Sequence, residues 1–190
     1  LNLNFYTLPS EFDFLRDYEK MNIVLIGYRG TGKSEVGAIV ADRLKMTCVG
    51  MDAEIVLRAG MSIPEIVEKF GWARFRDMET EVAIDFSARD NLIIDTGGGV
   101  IERPENIAAL QKNAVIFWLK ASVGIIVSRI KGDTQRPALI DGKTFTEEVA
   151  EVLAQRTSKY ENAANYEIDT DQLTPAQVAE QVIRIWQNNL

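Results

Sequence analysis

The sequence predicts an α/β fold in which a parallel sheet is covered by helices on both faces. Short apolar runs alternate with stretches of helical spacing along most of the chain, which is typical of parallel sheets. The first apolar run leads into a glycine-rich loop that opens a helix. The length of 190 residues and the hydrophobic content of 46% suit one domain with an ample core.

Apolar runs predict five strands, and helical periodicity predicts the elements between them. The strands are expected at 22–26, 47–50, 92–95, 115–119 and 166–169. The helices are expected near 33–45, 53–59, 63–70, 74–88, 104–112, 122–131, 145–160 and 175–188. In the first helix, Val36, Val40 and Leu44 recur at intervals of four residues. Capping-box pairs three residues apart, Thr144 with Glu147 and Thr174 with Gln177, predict the starts of the last two helices.

The loop after the first strand has the complete pattern G-x-x-x-x-G-K-S, between a predicted strand and a predicted helix. Its residues are Gly27, Gly30, Thr31, Gly32, Lys33 and Ser34, with two others between the first and second glycines. In this pattern the backbone N–H groups surround phosphate oxygens, the lysine reaches the β- and γ-phosphates, and the serine hydroxyl binds Mg²⁺. The alternative is a turn with incidental glycines. The flanking elements favour a P-loop that binds a nucleoside triphosphate.

Two further segments carry functional signals. The strand ending at Asp95 runs through Thr96 into three glycines, Gly97 to Gly99. Three glycines permit close approach of the backbone to a ligand, and a sharp turn is the alternative.

Residues 131–143 are polar and show no clear periodicity. A loop of this length beside a phosphate site predicts a mobile lid carrying Arg136, the alternative being a mobile surface loop.

Composition excludes several classes of function. The net charge of −7 argues against a nucleic-acid or membrane-surface partner. The chain has no histidine, so a histidine base or metal ligand is excluded, and its single cysteine permits no intrachain disulfide. No apolar run is long enough to span a membrane. We therefore expect a cytoplasmic protein.

Taken together, the motifs resemble the shikimate kinase family over about 22–188. The matching features, in the family's order, are the loop Gly27–Ser34, Asp52 with the segment 58–63, Phe75-Arg76, Thr96–Gly99, Arg136-Pro137 and Arg156. The P-loop is shared by very many proteins, whereas the joint pattern is specific to this family and its near relatives. The resemblance implies a three-layer P-loop fold with sheet order 2-3-1-4-5. It also implies transfer of a phosphoryl group from Mg-ATP to the 3-hydroxyl of shikimate, in aromatic amino acid biosynthesis.

The resemblance also implies roles for individual residues. Arg76 and Arg156 would bind the shikimate carboxylate, although each alone would be read as a surface arginine. Asp52 would hold the ring hydroxyls and orient or deprotonate the attacking one, while Gly97, Gly98 and Gly99 would line the substrate floor. Arg136 would stabilise the transferring phosphoryl group, and Arg129 and Pro175 match positions that sandwich adenine.

The chain departs from the family at the end of the second strand. The family usually has Asp-x-Asp there. Alignment from the segment 58–63 places Asp52 at the second aspartate and Gly50 at the position of the first. A shift by one register would pair Asp52 with Glu54 but breaks that match. Asp95 ends a strand, as a Walker-B aspartate does, so we hypothesise that it supplies the missing charge near Ser34 for Mg²⁺. The alternative is that Asp95 only caps the glycine turn.

Parts of the sequence are consistent with three other functions. A GTPase matches D-x-x-G at Asp95–Gly98, but the guanine-reading N-K-x-D is absent. A gluconate or nucleoside-monophosphate kinase shares the loop and lid, and Gly50 alone suggests a catalytically silent ATP-binding homologue. We expect residues 1–20 to be an extension of unassigned role, residues 21–190 to form one kinase domain, and the protein to be a monomer.

Overall fold

Five parallel strands form one sheet in the order β2-β3-β1-β4-β5. The computed structural model describes residues 21–130 and 144–188. The strands are β1 Asn22–Ile26, β2 Thr47–Gly50, β3 Leu92–Asp95, β4 Ala114–Lys120 and β5 Tyr166–Asp169. The helices are α1 Lys33–Leu44, α2 Met51–Ala59, α3 Ile63–Ser87, α4 Pro104–Leu110, α5 Val123–Ile130, α6 Phe145–Ala163 and α7 Pro175–Asn188. Short 3₁₀ turns at Val100–Glu102 and Gln111–Asn113 flank α4.

The central strand β1 supplies both halves of the core. Ile23 and Leu25 pack with α1 and α7 on one face of the sheet. Val24 and Ile26 pack with α2, α3 and the end of α6 on the other face. Successive side chains of a strand point to opposite faces, so a continuous apolar strand requires a helical layer on each side. The predicted three-layer fold and the strand order are confirmed.

The predicted elements are all present, with shifts at their ends. The interior strand β4 is longer than predicted because it pairs with both β1 and β5. The two helices predicted at 63–70 and 74–88 join as α3 across Gly71, whose φ of 80° is not helical. Helix α2 begins at Met51, two residues earlier than predicted, so that Asp52 lies in its first turn. Both predicted capping boxes of the last two helices are formed.

Parallel topology brings the predicted site motifs to one edge of the sheet. The P-loop follows β1, the triple glycine follows β3, and Asp52 follows β2. These are the carboxyl ends of three adjacent strands, where ligands bind in open α/β sheets. None of the helices in the two described ranges is long and apolar enough to cross a membrane. The extension 1–20 and the segment 131–143 with Arg136 lie outside the described residues.

Candidate active site

The P-loop is held in shape by hydrogen bonds between its own residues. Gly32 has a φ of 90°, which L side chains rarely adopt, so a glycine is required where the loop turns into α1. The Thr31 hydroxyl donates to the carbonyl of Tyr28 at 2.8 Å. The buried Lys33 ammonium donates to the carbonyls of Gly27 and Tyr28 at 2.9 and 3.0 Å. These bonds hold the loop at the N-terminus of α1, where anions bind favourably.

A cavity of about 440 Å³ lies against this loop. Lys33 and Ser34 line it from the loop, Asp52 from α2, and Asp95 and Thr96 from the end of β3. The cavity thus brings together residues predicted for phosphate, metal and acceptor.

Ser34 and Asp95 lie side by side in this cavity. The Ser34 hydroxyl donates to Asp95 Oδ2 at 2.5 Å. In the sheet register Asp95 pairs directly with Gly50, the last residue of β2, so the acidic side chain sits one strand away from where the family usually carries it. A hydroxyl and a carboxylate oxygen at contact distance suit Mg²⁺, which prefers oxygen ligands and is usually held by one or two carboxylates plus substrate phosphates.

A second cavity of about 360 Å³ adjoins the other side of the P-loop. Arg129 and Pro175, the predicted adenine-binding residues, both line it. The Arg129 guanidinium is oriented by Thr170, donating to its hydroxyl at 3.0 Å and to its carbonyl at 2.7 Å. A planar guanidinium held in this way offers a face on which an aromatic base can stack.

The triple glycine lies between acidic and basic side chains. A Cβ atom at position 97 would lie 2.7 Å from Asp52 Oδ1 and 2.9 Å from Glu79 Oε1. A Cβ atom at position 99 would overlap the Arg76 guanidinium, 2.5 Å from its Cζ. Glycine is needed at both positions because functional side chains lie directly against the backbone.

Arg76 is fixed from three sides. Its Nη1 donates to Glu79 Oε2 at 2.7 Å, within α3. Its guanidinium carbon lies 5.6 Å from the ring centre of Trp72 and 5.2 Å from that of Phe75. Cation–π contacts and an ion pair restrict the side chain, so it faces Gly99 in a defined orientation.

Arg156 approaches the same loop from α6. Its Nε donates to Glu102 Oε1 at 2.6 Å and its Nη1 to the carbonyl of Gly98 at 3.4 Å. The buried Tyr160 hydroxyl donates to the same carbonyl. Arg76 and Arg156 therefore lie against neighbouring glycines, Gly99 and Gly98, although the sequence pattern of either arginine alone favours a surface position.

Sequence reasoning missed Glu79, which is fully buried beside the site. Burial raises the pKa of its carboxyl and outweighs the lowering effect of Arg76, and the charge of Asp52 adds to the rise. Its Oε1 is buried with no hydrogen-bond partner within the described part of the chain. The spacing of Arg76 and Glu79, three residues apart on a predicted helix, was the available signal.

Sequence reasoning also missed Glu102. The lowered pKa of its carboxyl makes the stability of the fold depend on pH. Burial raises the pKa of its carboxyl, but hydrogen bonds from Lys159 and Arg156 more than offset this, so the pKa lies below the usual 4.5. A lowered pKa in the folded state means that the ionised form stabilises the fold above the unfolded pKa. We expect the free energy of unfolding to fall as the pH drops below 4.5 towards the pKa of folded Glu102.

Glu102→Gln should flatten that part of the profile, measured by urea unfolding at a series of pH values. The control is Glu105→Gln, because Glu105 is exposed on α4. An unchanged slope in the Glu102 variant would contradict the prediction.

Comparisons with known proteins match most of the chain. A family model described as shikimate kinase matches residues 29–187. A shikimate kinase from Thermodesulfovibrio yellowstonii is 45% identical over 163 residues, covering 86% of this chain and 93% of that protein. One from Caldicellulosiruptor bescii is 39% identical over 164 residues, covering 86% and 94%.

Solved structures show the same similarity. The shikimate kinase from Acinetobacter baumannii in complex with shikimate has a TM-score of 0.86 at 30% identity, covering 92% of this chain and 97% of that one. The enzyme from Aquifex aeolicus has a TM-score of 0.77 at 29% identity, covering 89% and 98%.

Proposed function

This chain belongs to the shikimate kinase family, and from that premise we propose that it transfers the γ-phosphoryl group of Mg-ATP to the 3-hydroxyl of shikimate. The observation that carries the proposal is the convergence of Arg76, Arg156 and Asp52 on the Gly97–Gly99 loop, beside the cavity lined by Lys33 and Ser34. A carboxylate-binding pair and a hydroxyl-binding acid next to a phosphate site suit a hydroxylated acid as acceptor.

At the acceptor end, Arg76 and Arg156 bind the shikimate carboxylate. Their guanidinium groups suit a carboxylate because they offer paired N–H donors. Asp52 binds the ring hydroxyls and orients or deprotonates the attacking one, and Gly97, Gly98 and Gly99 line the floor. The close approach of Asp52 and Arg76 to these glycines supports the assignment.

At the donor end, the chain positions the nucleotide. Gly27, Gly30, Thr31 and Gly32 bind phosphate oxygens through the backbone, and Lys33 binds the β- and γ-phosphates. Arg129 and Pro175 bind the adenine, which their shared cavity supports. Phosphoryl transfer needs positioning and charge stabilisation more than covalent participation. Arg136, predicted to add positive charge at the transferring group, lies outside the described residues.

Ser34 and Asp95 would hold Mg²⁺ at this site. The ion, when bound, neutralises charge on the β- and γ-phosphates. Asp95 accepts a hydrogen bond from Ser34 and pairs in register with Gly50, which supports the proposal that it replaces the carboxylate missing from β2. We further propose that the protein acts as a monomer in a reducing, cytoplasmic compartment.

The proposal is tested by measuring ADP release from Mg-ATP with and without shikimate in a coupled assay. We expect release that depends on shikimate, and gluconate serves as the control acceptor. Tight ATP binding without turnover on shikimate would refute the proposal and favour the silent homologue that Gly50 suggested.

A further inference from the structure

Arg29, an unassigned residue of the P-loop, forms a buried ion pair with helix α6. Its Nη2 donates to Glu148 Oε1 at 2.8 Å, and the two side chains are only 12% and 5% exposed. Its guanidinium carbon also lies 5.4 Å from the ring centre of Phe145, the first residue of α6. Removing one partner of a buried pair leaves an uncompensated charge, so this pair strongly favours one position of α6 against the loop.

The neighbouring residue, Tyr28, adds an apolar connection. It is 2% exposed and packs in a small cluster with Ile126 and Ile130 of α5 and with Val149 and Val152 of α6. This cluster is separate from the two that cover the sheet. The P-loop, α5 and α6 therefore form one packed unit.

Helix α6 connects this unit to the acceptor site. Arg156 follows Glu148 by eight residues, which corresponds to about 12 Å along a helix. Arg156 contacts the carbonyl of Gly98 and the carboxylate of Glu102. A helix is stiff over two turns, so a shift of its first turn against the P-loop also displaces Arg156.

Arg29 also faces the donor site. It lines the cavity shared by Lys33 and Ser34, whereas Glu148 does not line that cavity. The Arg29 guanidinium thus pairs with Glu148 of α6 and also lines the cavity in which the phosphates are proposed to bind. The negative charge of a nucleotide phosphate in this cavity would therefore act on Arg29, the residue that pairs with α6.

We propose that Arg29 is a positioning residue for the acceptor: through Glu148 it sets the position of α6, and with it the carboxylate-binding Arg156. This inference rests on the proposed function. It assigns to a residue of the nucleotide loop an effect on the other substrate.

The test compares Arg29→Met, Glu148→Gln and the double variant with the wild type. We expect Glu148→Gln and Arg29→Met each to raise the KM for shikimate about tenfold, with a much smaller change in the KM for ATP. The double variant should cost no more than the worse single variant, because both changes break one interaction. It also leaves no buried unpaired charge, so it replaces Arg29→Met if that variant fails to fold.

A binding readout accompanies the kinetics. Tryptophan fluorescence measures the Kd of shikimate with and without a nonhydrolysable ATP analogue, since Trp72 lies against Arg76. The matched control is Arg43→Met, which breaks an ion pair with Glu180 whose side chains are 44% and 53% exposed. We expect the control to behave as the wild type.

The outcomes separate the inference from the function on which it rests. A rise in the KM for ATP alone would mean that Arg29 binds phosphate directly and would overturn the positioning role. Unchanged affinity for shikimate in all three variants, with an active wild type, would also overturn it. A wild type without turnover on shikimate would instead refute the proposed function.

Discussion

Gly99→Ala is expected to raise the KM for shikimate about 100-fold, since a misplacement of about 1 Å in a binding group can cost this much. The new Cβ would overlap the Arg76 guanidinium, which must then leave its position against Glu79. The backbone itself accepts alanine, because Gly99 has a φ of −105°. The variant should therefore still fold but lose acceptor binding.

The measurements are the KM for both substrates and the thermal unfolding midpoint. We expect the KM for ATP to change little, because the clash falls on the Arg76 side chain alone. The midpoint should fall, because a displaced Arg76 no longer pairs with the buried Glu79. Gly124→Ala is the matched control, since a Cβ there meets no atom within 4 Å. An unchanged KM for shikimate in the Gly99 variant would remove Arg76 from the acceptor site.

Asp95→Ala is expected to weaken binding of the nucleotide-associated metal about 10- to 100-fold, the usual effect of losing a supporting metal-site residue. The Mg²⁺ concentration needed for half-maximal activity should rise accordingly. Binding of Mn²⁺ to the ADP complex, followed by electron paramagnetic resonance, gives a readout independent of turnover. Asp95→Asn keeps the shape of the side chain and tests whether its charge is what matters.

A second variant tests whether the carboxylate can be moved back. Gly50 pairs with Asp95 in register, and a Cβ at position 50 meets only the Cβ of Ala53, at 3.7 Å. Gly50→Asp combined with Asp95→Ala should therefore recover part of the metal affinity. Asp42→Asn, at an exposed position on α1, is the control. Metal binding unaffected by Asp95→Ala would leave Asp95 as a cap of the glycine turn.

The fold was largely predictable because its signals are local. Apolar runs such as 22–26 and the capping pair Thr144 and Glu147 depend on residues close in sequence, and the structure confirms them. The boundaries were less accurate. Helix α6 ends at Ala163 rather than 160, and both Tyr160 and Ala163 are buried in the core, in contacts that distant segments create.

The sequence by itself determined the P-loop, the alternation of strands and helices, and a family resemblance that the comparisons confirm. Each of these follows from the order and spacing of residues along the chain. Only the tertiary structure decided that Arg76 lies against Gly99, that Asp95 pairs with Gly50, and that Arg29 reaches Glu148. Strand register places Asp95 beside Gly50, 45 positions away, and the packing of α6 places Glu148 beside Arg29, 119 positions away. These contacts depend on position in space and not on spacing along the chain.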